Sequence, residues 1–433
     1  MAATSNRLSG LREHLLADVL CELLRAQCER ISDSGDPGAA VRPANSTMAA
    51  LAMFAVPYLS LLEFGGGHNG RNLQYPFRSE VLAGDWKLRE VLNFPSSTEL
   101  LPLFAAVFRE PQRRRVLGQC VFHRRSCLLS LGGTKYFSSQ KIHCPSCPQK
   151  SNEKTGGASY YDQILEVVLL HPSRREVIPL ATEPAQVSDG NARNERNRNA
   201  GGRLPEQIRK ELPHLECIAA EDGLASNASQ THRLQVLLMQ FTASMKPGDH
   251  QPLVLEVRIK YDDGLITALK WQKTGVRRNV DFANRMRTNG LNPDLLVSCM
   301  ISTIHGPSGN IQARFTWTTN LEIPRIHTHF LACGSCCRWK FAIAIFTAPQ
   351  REGYRKEIVN SSGDGRMSVV FASQMMLALL TEPVRKLCHP FLKKVCAKLA
   401  LCEEPDLDSS TFSLDATTAR RHPYVFAIAW SPL

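Results

Sequence analysis

Ser126–Gly133 (SCLLSLGG), Gln163–Pro172 (QILEVVLLHP) and Glu176–Pro184 (EVIPLATEP) are three short apolar runs, each bounded by turn residues. Runs of that kind mark the strands of a buried sheet. Downstream, the Asn- and Arg-rich stretch Asp189–Leu204 reads as a loop leading into a helix, with Leu204, Ile208 and Leu212 spaced four apart. Glu216–Gly223 (ECIAAEDG) reads as a strand ending in two acids, and a helix through Leu234 and Leu237 follows. Strands succeeded by alternating strands and helices imply an α/β layer architecture.

On the N-terminal side, residues 8–32 carry Leu11, Leu15, Leu16, Val19, Leu23 and Leu24 on one helical face, and a second helix is expected from Thr47. The intervening SDSGDPGAAVRPAN has the composition of a loop, and Gly65–Gly67 would end the second helix. Asp85 is a plausible N-cap for a third helix through Leu88, Val91 and Leu92. The first 115 residues therefore read as a helical N-terminal domain, closed by Arg113, Arg114 and Arg115, a run that either touches phosphate or is a solvated loop.

On the C-terminal side, PLVLEVRIKY (252–261) and LITALKWQ (265–272), separated by Asp262-Asp263-Gly264, read as a hairpin. A second strand pair, 295–304 and 311–320, flanks GPSGN. The expected organisation is an α/β core over 120–245, an all-β insertion over 246–330, a return to the core over 331–400 with a buried helix near 369–380, and a tail over 401–433.

Composition narrows the partner. Fifty-two Lys+Arg against 40 Asp+Glu leave +12 in 433 residues, a balance that favours a polyanion such as nucleic acid. The longest uncharged apolar run, Met48–Leu62, is shorter than the roughly 20 residues that span a bilayer, so no membrane partner is expected. Fourteen scattered cysteines are too sparse for a disulfide scaffold, and Arg7, Arg12, Glu13 and Asp18 interrupt any leader-like segment. The expectation is a cytoplasmic protein with reduced thiols.

Six strings occur in order: LGGTKYFSS (131–139), HCPSC (143–147), HPSRREVIPLATEP (171–184), EDGLASNA (221–228), KPGDH (246–250) and RWK (338–340). Together they resemble the bacterial insertion-sequence transposases of the DDE type, over roughly residues 80 to 390. The resemblance implies an RNase H-like mixed-sheet core with a helical N-terminal domain and an all-β insertion. It also implies Mg²⁺ or Mn²⁺ as cofactor, and partners comprising the DNA ends of an insertion element, a homodimer, or a heterodimer with intact transposase. DNA cutting and joining is an in-line phosphoryl displacement across two metals, which need converging carboxylates.

Residue by residue, the resemblance assigns the first carboxylate position to Gly132, the second to Asp222 and the third to Ala342, with Ala344 at the nearby second acid. One carboxylate survives, so strand transfer is expected to be lost. Glu221 adjoins Asp222 but would point to the opposite face if the strand continues, and Asp262 and Asp263 sit in the expected hairpin turn. Gly201 and Gly202 stand where the family has helix formers, at about 1 kcal/mol each, which suggests a decaying copy.

Arg338 and Lys340 are candidates for DNA phosphate contacts, the alternative being surface residues of an amphipathic helix. Lys246 and His250 are similar candidates, or simply flank a Pro-Gly turn. Cys144 and Cys147, beside His143, have zinc-ligand spacing; Cys333, Cys336 and Cys337 could complete a site, against a reading of all five as buried thiols. Tyr136, Phe137 and Trp339 either stack on a base or pack in the core.

Overall fold

The computed structural model describes residues 17–32, 42–55, 96–141, 147–151, 157–174, 176–190, 193–222, 228–246, 248, 250–273, 276–288, 294–342 and 365–389. The expected helix through Leu88–Leu92, the glycines 65–67 and the tail lie outside them.

The three runs that open the chain's β pattern form three neighbouring strands. β1 (Val121–His123) is a short partner of β2 (Ser126–Ser139), β3 (Gln149–Ser151) and β5 (Ile178–Pro184) pair with β4 (Ala158–Leu170), and β4 pairs antiparallel with β2. β6 (Cys217–Glu221) lies parallel to β2 on its other side, and β7 (Gln240–Ser244) lies parallel to β6. The order β5-β4-β2-β6-β7 thus has one strand, β4, running against β2 and its parallel partners at the centre. Central strands buried on both faces read as continuous apolar runs, as the sequence of β2, β4 and β6 does.

A helix bridges each crossover. Between β5 and β6 runs α4 (Arg193–Glu211), and between β6 and β7 runs α5 (Ala228–Val236). α4 starts well before Leu204 and takes in most of the stretch read as a loop, including Gly201 and Gly202. Its hold on the sheet is ionic as well as apolar: the Arg203 guanidinium donates to Glu183 at 2.7 Å and to Asp189 at 2.6 Å.

The N-terminal helices α1 (Ala17–Cys28), α2 (Pro43–Ala55) and α3 (Ser97–Arg113) pack with α8 (Gly365–Cys388) and β5. Glu99 accepts from the Ser96 backbone N–H at 2.8 Å and thereby caps the start of α3. Arg113 and Arg114, read as part of a run that either touches phosphate or is a solvated loop, turn back on Glu110 at 2.7 and 3.5 Å. Phe54 of α2 meets Phe371 of α8 edge to face, and one hydrophobic cluster runs without a break from Leu20 through the sheet to Cys388.

The sheet then continues beyond β7. β11 (Ile311–Thr319) pairs with β7, followed outward by β10 (Leu296–His305), β9 (Val276–Arg287) and β8 (Thr267–Lys273), all antiparallel. The segment is not all-β, and this corrects the reading of 252–261: that stretch is the helix α6 (Gln251–Asp262). Pro252 is accommodated in the first turn, where its missing N–H has no intrahelical partner to lose. Leu253 and Val257, one turn apart, are buried, whereas Leu255 and Ile259 of the apparent alternation are exposed. Asp262-Asp263-Gly264 is the stop of this helix and not a hairpin. Gly264 has φ +69°, the Leu265 N–H donates to the Lys260 carbonyl at 2.8 Å and the Gly264 N–H to that of Tyr261 at 3.1 Å. That pair of bonds is the Schellman arrangement that glycine permits. Strand β9, absent from the sequence reading, supplies the hairpin partner of β8.

Among the described residues, no helix is long and apolar enough to cross a membrane.

Candidate functional site

Gly132 lies within β2 and pairs with Glu166 of β4, a fully buried residue. Asp222 is the first residue beyond β6, exposed where the chain leaves the sheet. β2 and β6 are parallel neighbours in register from Cys127↔Cys217 to Ser130↔Ala220, so position 132, midway along β2, and position 222, just past the end of β6, each lie two residues beyond the last pair. Both border a cavity of about 410 Å³.

Three walls make this cavity. Leu131, Gly132 and Gly133 of β2, with Leu165 of β4, form an apolar floor from which two side chains are missing. α4 contributes Glu195, Asn197, Arg198 and Asn199 along one side; the end of β6 and the first turns of α5 contribute Glu221, Asp222, Ser229, Gln230 and Arg233. Gln163 donates to Asn197 at 2.9 Å, which fixes that amide against β4.

Glu221 and Asp222 border one cavity but live in different environments. Glu221 is the last residue of β6, 3% exposed, and accepts a hydrogen bond of 2.9 Å from the Gln230 side chain. Burial pushes its carboxyl up to about 7, and the neighbouring Asp222 charge adds to the rise; the Gln230 bond and Arg233 act the other way. Its proton is therefore held well above the usual carboxylate range, whereas Asp222 is exposed.

Gly202 has a packing reason that the sequence reading did not supply. A Cβ at this position would overlap the Arg233 guanidinium, which crosses α4 there and reaches Glu206 at 3.4 Å. Gly201 has no such neighbour, a Cβ there meeting only Leu165 at 3.9 Å.

Ala342, which the resemblance sets at the third carboxylate position, ends α7 (Thr328–Ala342), which packs against β2, β4, β6, β7 and β9. Arg338, Trp339 and Lys340 fall in the same helix, and the side chains of all four lie outside the described residues, as do those of Tyr136 and Phe137. Ala344 and Cys144 also lie outside them. Lys246 and His250 flank the turn from β7 into α6, where His250 Nδ1 lies 2.9 Å from the Lys246 carbonyl oxygen. That bond closes the turn with the histidine ring.

The thiols meet different partners. Cys147 is buried, with its thiol 3.3 Å from the Asp162 carboxylate; Cys336 lies 3.9 Å from Arg278, and Cys333 lies 4.0 Å from His329. No group of three or more His, Cys, Asp or Glu placed to hold a metal occurs among the described residues. Nor do the residues that border the cavity fit a two-metal phosphoryl-transfer centre. Glu221 is committed to Gln230 and held partly protonated, the Glu195 side chain packs at Gly190, and Gly132 offers no donor.

No protein-family model matches the chain, and no curated protein matches it.

Proposed function

We propose that this chain is a transposase-like DNA-binding protein of an insertion element, with an RNase H-like core that no longer cuts and joins DNA. The observation that carries the reading is the strand order β5-β4-β2-β6-β7, with β2, β6 and β7 parallel, β4 reversed, and helices at both crossovers. That is the order and sense of an RNase H-like sheet. In such a sheet the first two carboxylates stand on the first strand and at the end of the fourth. Gly132 within β2 and Asp222 just beyond β6 support that assignment.

The chemistry follows from the donor set. One exposed carboxylate beside a glycine holds no pair of divalent cations, so this donor set does not support strand cleavage. What remains is a basic protein, +12 overall, whose partner is the DNA of element ends and whose setting is the cytoplasm. It acts as a homodimer or in company with an intact transposase. The unbroken hydrophobic cluster favours this folded, binding protein over a remnant that does not fold.

The test is the double restoration Gly132→Asp with Ala342→Glu, assayed for Mg²⁺- or Mn²⁺-dependent nicking of DNA carrying the ends of a related insertion element. Metal-dependent nicking by the variant and none by the parent is the expected result. A variant that melts cooperatively yet never nicks overturns the assignment of residues 132, 222 and 342, and nicking by the parent overturns the loss of chemistry.

A further inference from the structure

The cations of the core and those of the β8–β11 extension are used differently. Arg25, Arg109, Arg113, Arg114, Arg203 and Arg233 each form an ion pair with a neighbouring acid. Lys270, Arg277 and Arg314 form none among the described residues, and all three are exposed.

Register places these three on one face. Residues opposite each other in neighbouring antiparallel strands project to the same side. Lys270 opposes Asn279, Asn279 opposes Thr303, and Thr303 opposes Arg314, one row across four strands. In the next row out, Gln272 opposes Arg277 and Arg277 opposes His305. The other side of the same strands is closed: Arg278 and Val280 are buried, Trp271 meets His329 of α7, and Arg278 approaches Cys336 of the same helix. Lys270, Arg277 and Arg314 are exposed on the opposite face, beside α6, whose Tyr261 reaches Asp281 one row further in.

Spacing and chemistry suit a phosphate backbone. Three strand separations put the Lys270 and Arg314 backbones about 14 Å apart, and the diagonal from Lys270 to Arg277 is about 7–8 Å. Beside them stand Gln272 and Thr303, side chains that donate hydrogen bonds to phosphate oxygens, and Asn279, whose amide nitrogen lies 3.1 Å from His305 Nε2. Acids are scarce: residues 267–319 hold Lys270, Lys273, Arg277, Arg278, Arg285, Arg287 and Arg314 against only Asp281 and Asp294. Asp281 already accepts from the Tyr261 hydroxyl at 2.6 Å. The second row ends on exposed Ile311, opposite His305, a single apolar side chain and not the broad apolar face that inserts into a lipid surface.

We infer that this face of β8–β11 is a docking surface for the backbone of duplex DNA, contacted by Lys270, Arg277 and Arg314. It deepens the reading of the chain as a DNA-binding protein and is independent of the cavity at Gly132 and Asp222.

The experiment compares the full chain with the triple variant K270Q/R277Q/R314Q, in metal-free buffer, on a labelled duplex of arbitrary sequence. Binding is followed by anisotropy between about 50 and 200 mM salt. The variant is expected to melt at the parental temperature, to bind at least about tenfold more weakly at the low-salt end, and to lose about three from the slope of log K against log salt. An unchanged slope overturns the face while leaving the core assignment to the nicking test. Absence of duplex binding by the parent, or equally tight binding of polyglutamate with the same sensitivity to the three substitutions, overturns it as well.

Discussion

The half of the sheet around β2 and the half built from β8–β11 share one hydrogen-bonded ladder and obey different rules. In the first, strands lie between helices, and ionisable groups brought near the core are neutralised: Arg203 spans Glu183 and Asp189, and Glu221 leans on Gln230. In the second, one face packs under α7 and part of the other under α6, and exposed Lys270, Arg277 and Arg314 form no ion pair among the described residues. A charge in the first half is part of the fold's own energetics. In the second, Arg278 and Asp281 serve the fold as well, and exposed Lys270, Arg277 and Arg314 are the charges we assign to a partner.

The largest effect that should separate the halves is the pH dependence of Glu221. Its carboxyl is raised from 4.5 to about 7, so the folded state holds the proton more tightly than the unfolded chain does. The corresponding stability is fully present below about 4.5 and is lost as pH rises through 7. Glu221→Gln removes the ionisation and keeps a hydrogen-bonding side chain against Gln230. Relative to wild type the variant should gain stability between pH 5 and pH 8, on the order of 3 kcal/mol. Urea unfolding at both pH values measures it, and parallel curves would mean that Glu221 is not buried as a neutral acid.

Next in size is Arg203→Ala. It leaves Glu183 and Asp189, whose side chains are 7% and 9% exposed, without their guanidinium. The Arg203 side chain is 41% exposed, so the loss should be about 2 kcal/mol, below the range for a fully buried pair. Arg314→Ala on the exposed face of the second half should cost less than about 0.5 kcal/mol. Equal losses at the two sites would erase the distinction between structural and unpartnered cations.

The two halves were also unequally legible. The strands β2, β4, β5 and β6 could be read because strands buried on both faces leave uninterrupted apolar runs, bounded by Gly and Pro. In the second half alternation misled: Leu255, Val257 and Ile259 alternate with Glu256, Arg258 and Lys260 as a strand would, yet only Leu253 and Val257 find a buried position, and those lie one helical turn apart. β9 was missed because buried Arg278 sits where an apolar residue would have completed its pattern. At the site, Gly132, Glu221 and Asp222 could be located from their strings, whereas Gln230 and Arg233 had no motif to announce them; only Gly202, an odd choice inside a helix, hinted at a close approach.

That hint yields the smallest and sharpest prediction. Glycine inside a helix costs about 1 kcal/mol relative to alanine, so a chain drifting without selection would carry such glycines at random, and alanine would repair them equally. The structure makes them unequal. At Gly201 a Cβ enters ordinary contact with Leu165, and Gly201→Ala should recover the full 1 kcal/mol or so. At Gly202 the same Cβ must displace Arg233 from across α4 and weaken its pairing with Glu206, which is worth up to about 1 kcal/mol for so exposed a pair. The guanidinium is the far end of a flexible side chain, so it can move, and Gly202→Ala should come out near zero. Comparing the two variants by denaturant midpoint decides whether Gly202 is a scar of decay or the slot for Arg233: equal stabilisation favours the scar, and a gap of about 1 kcal/mol favours the slot.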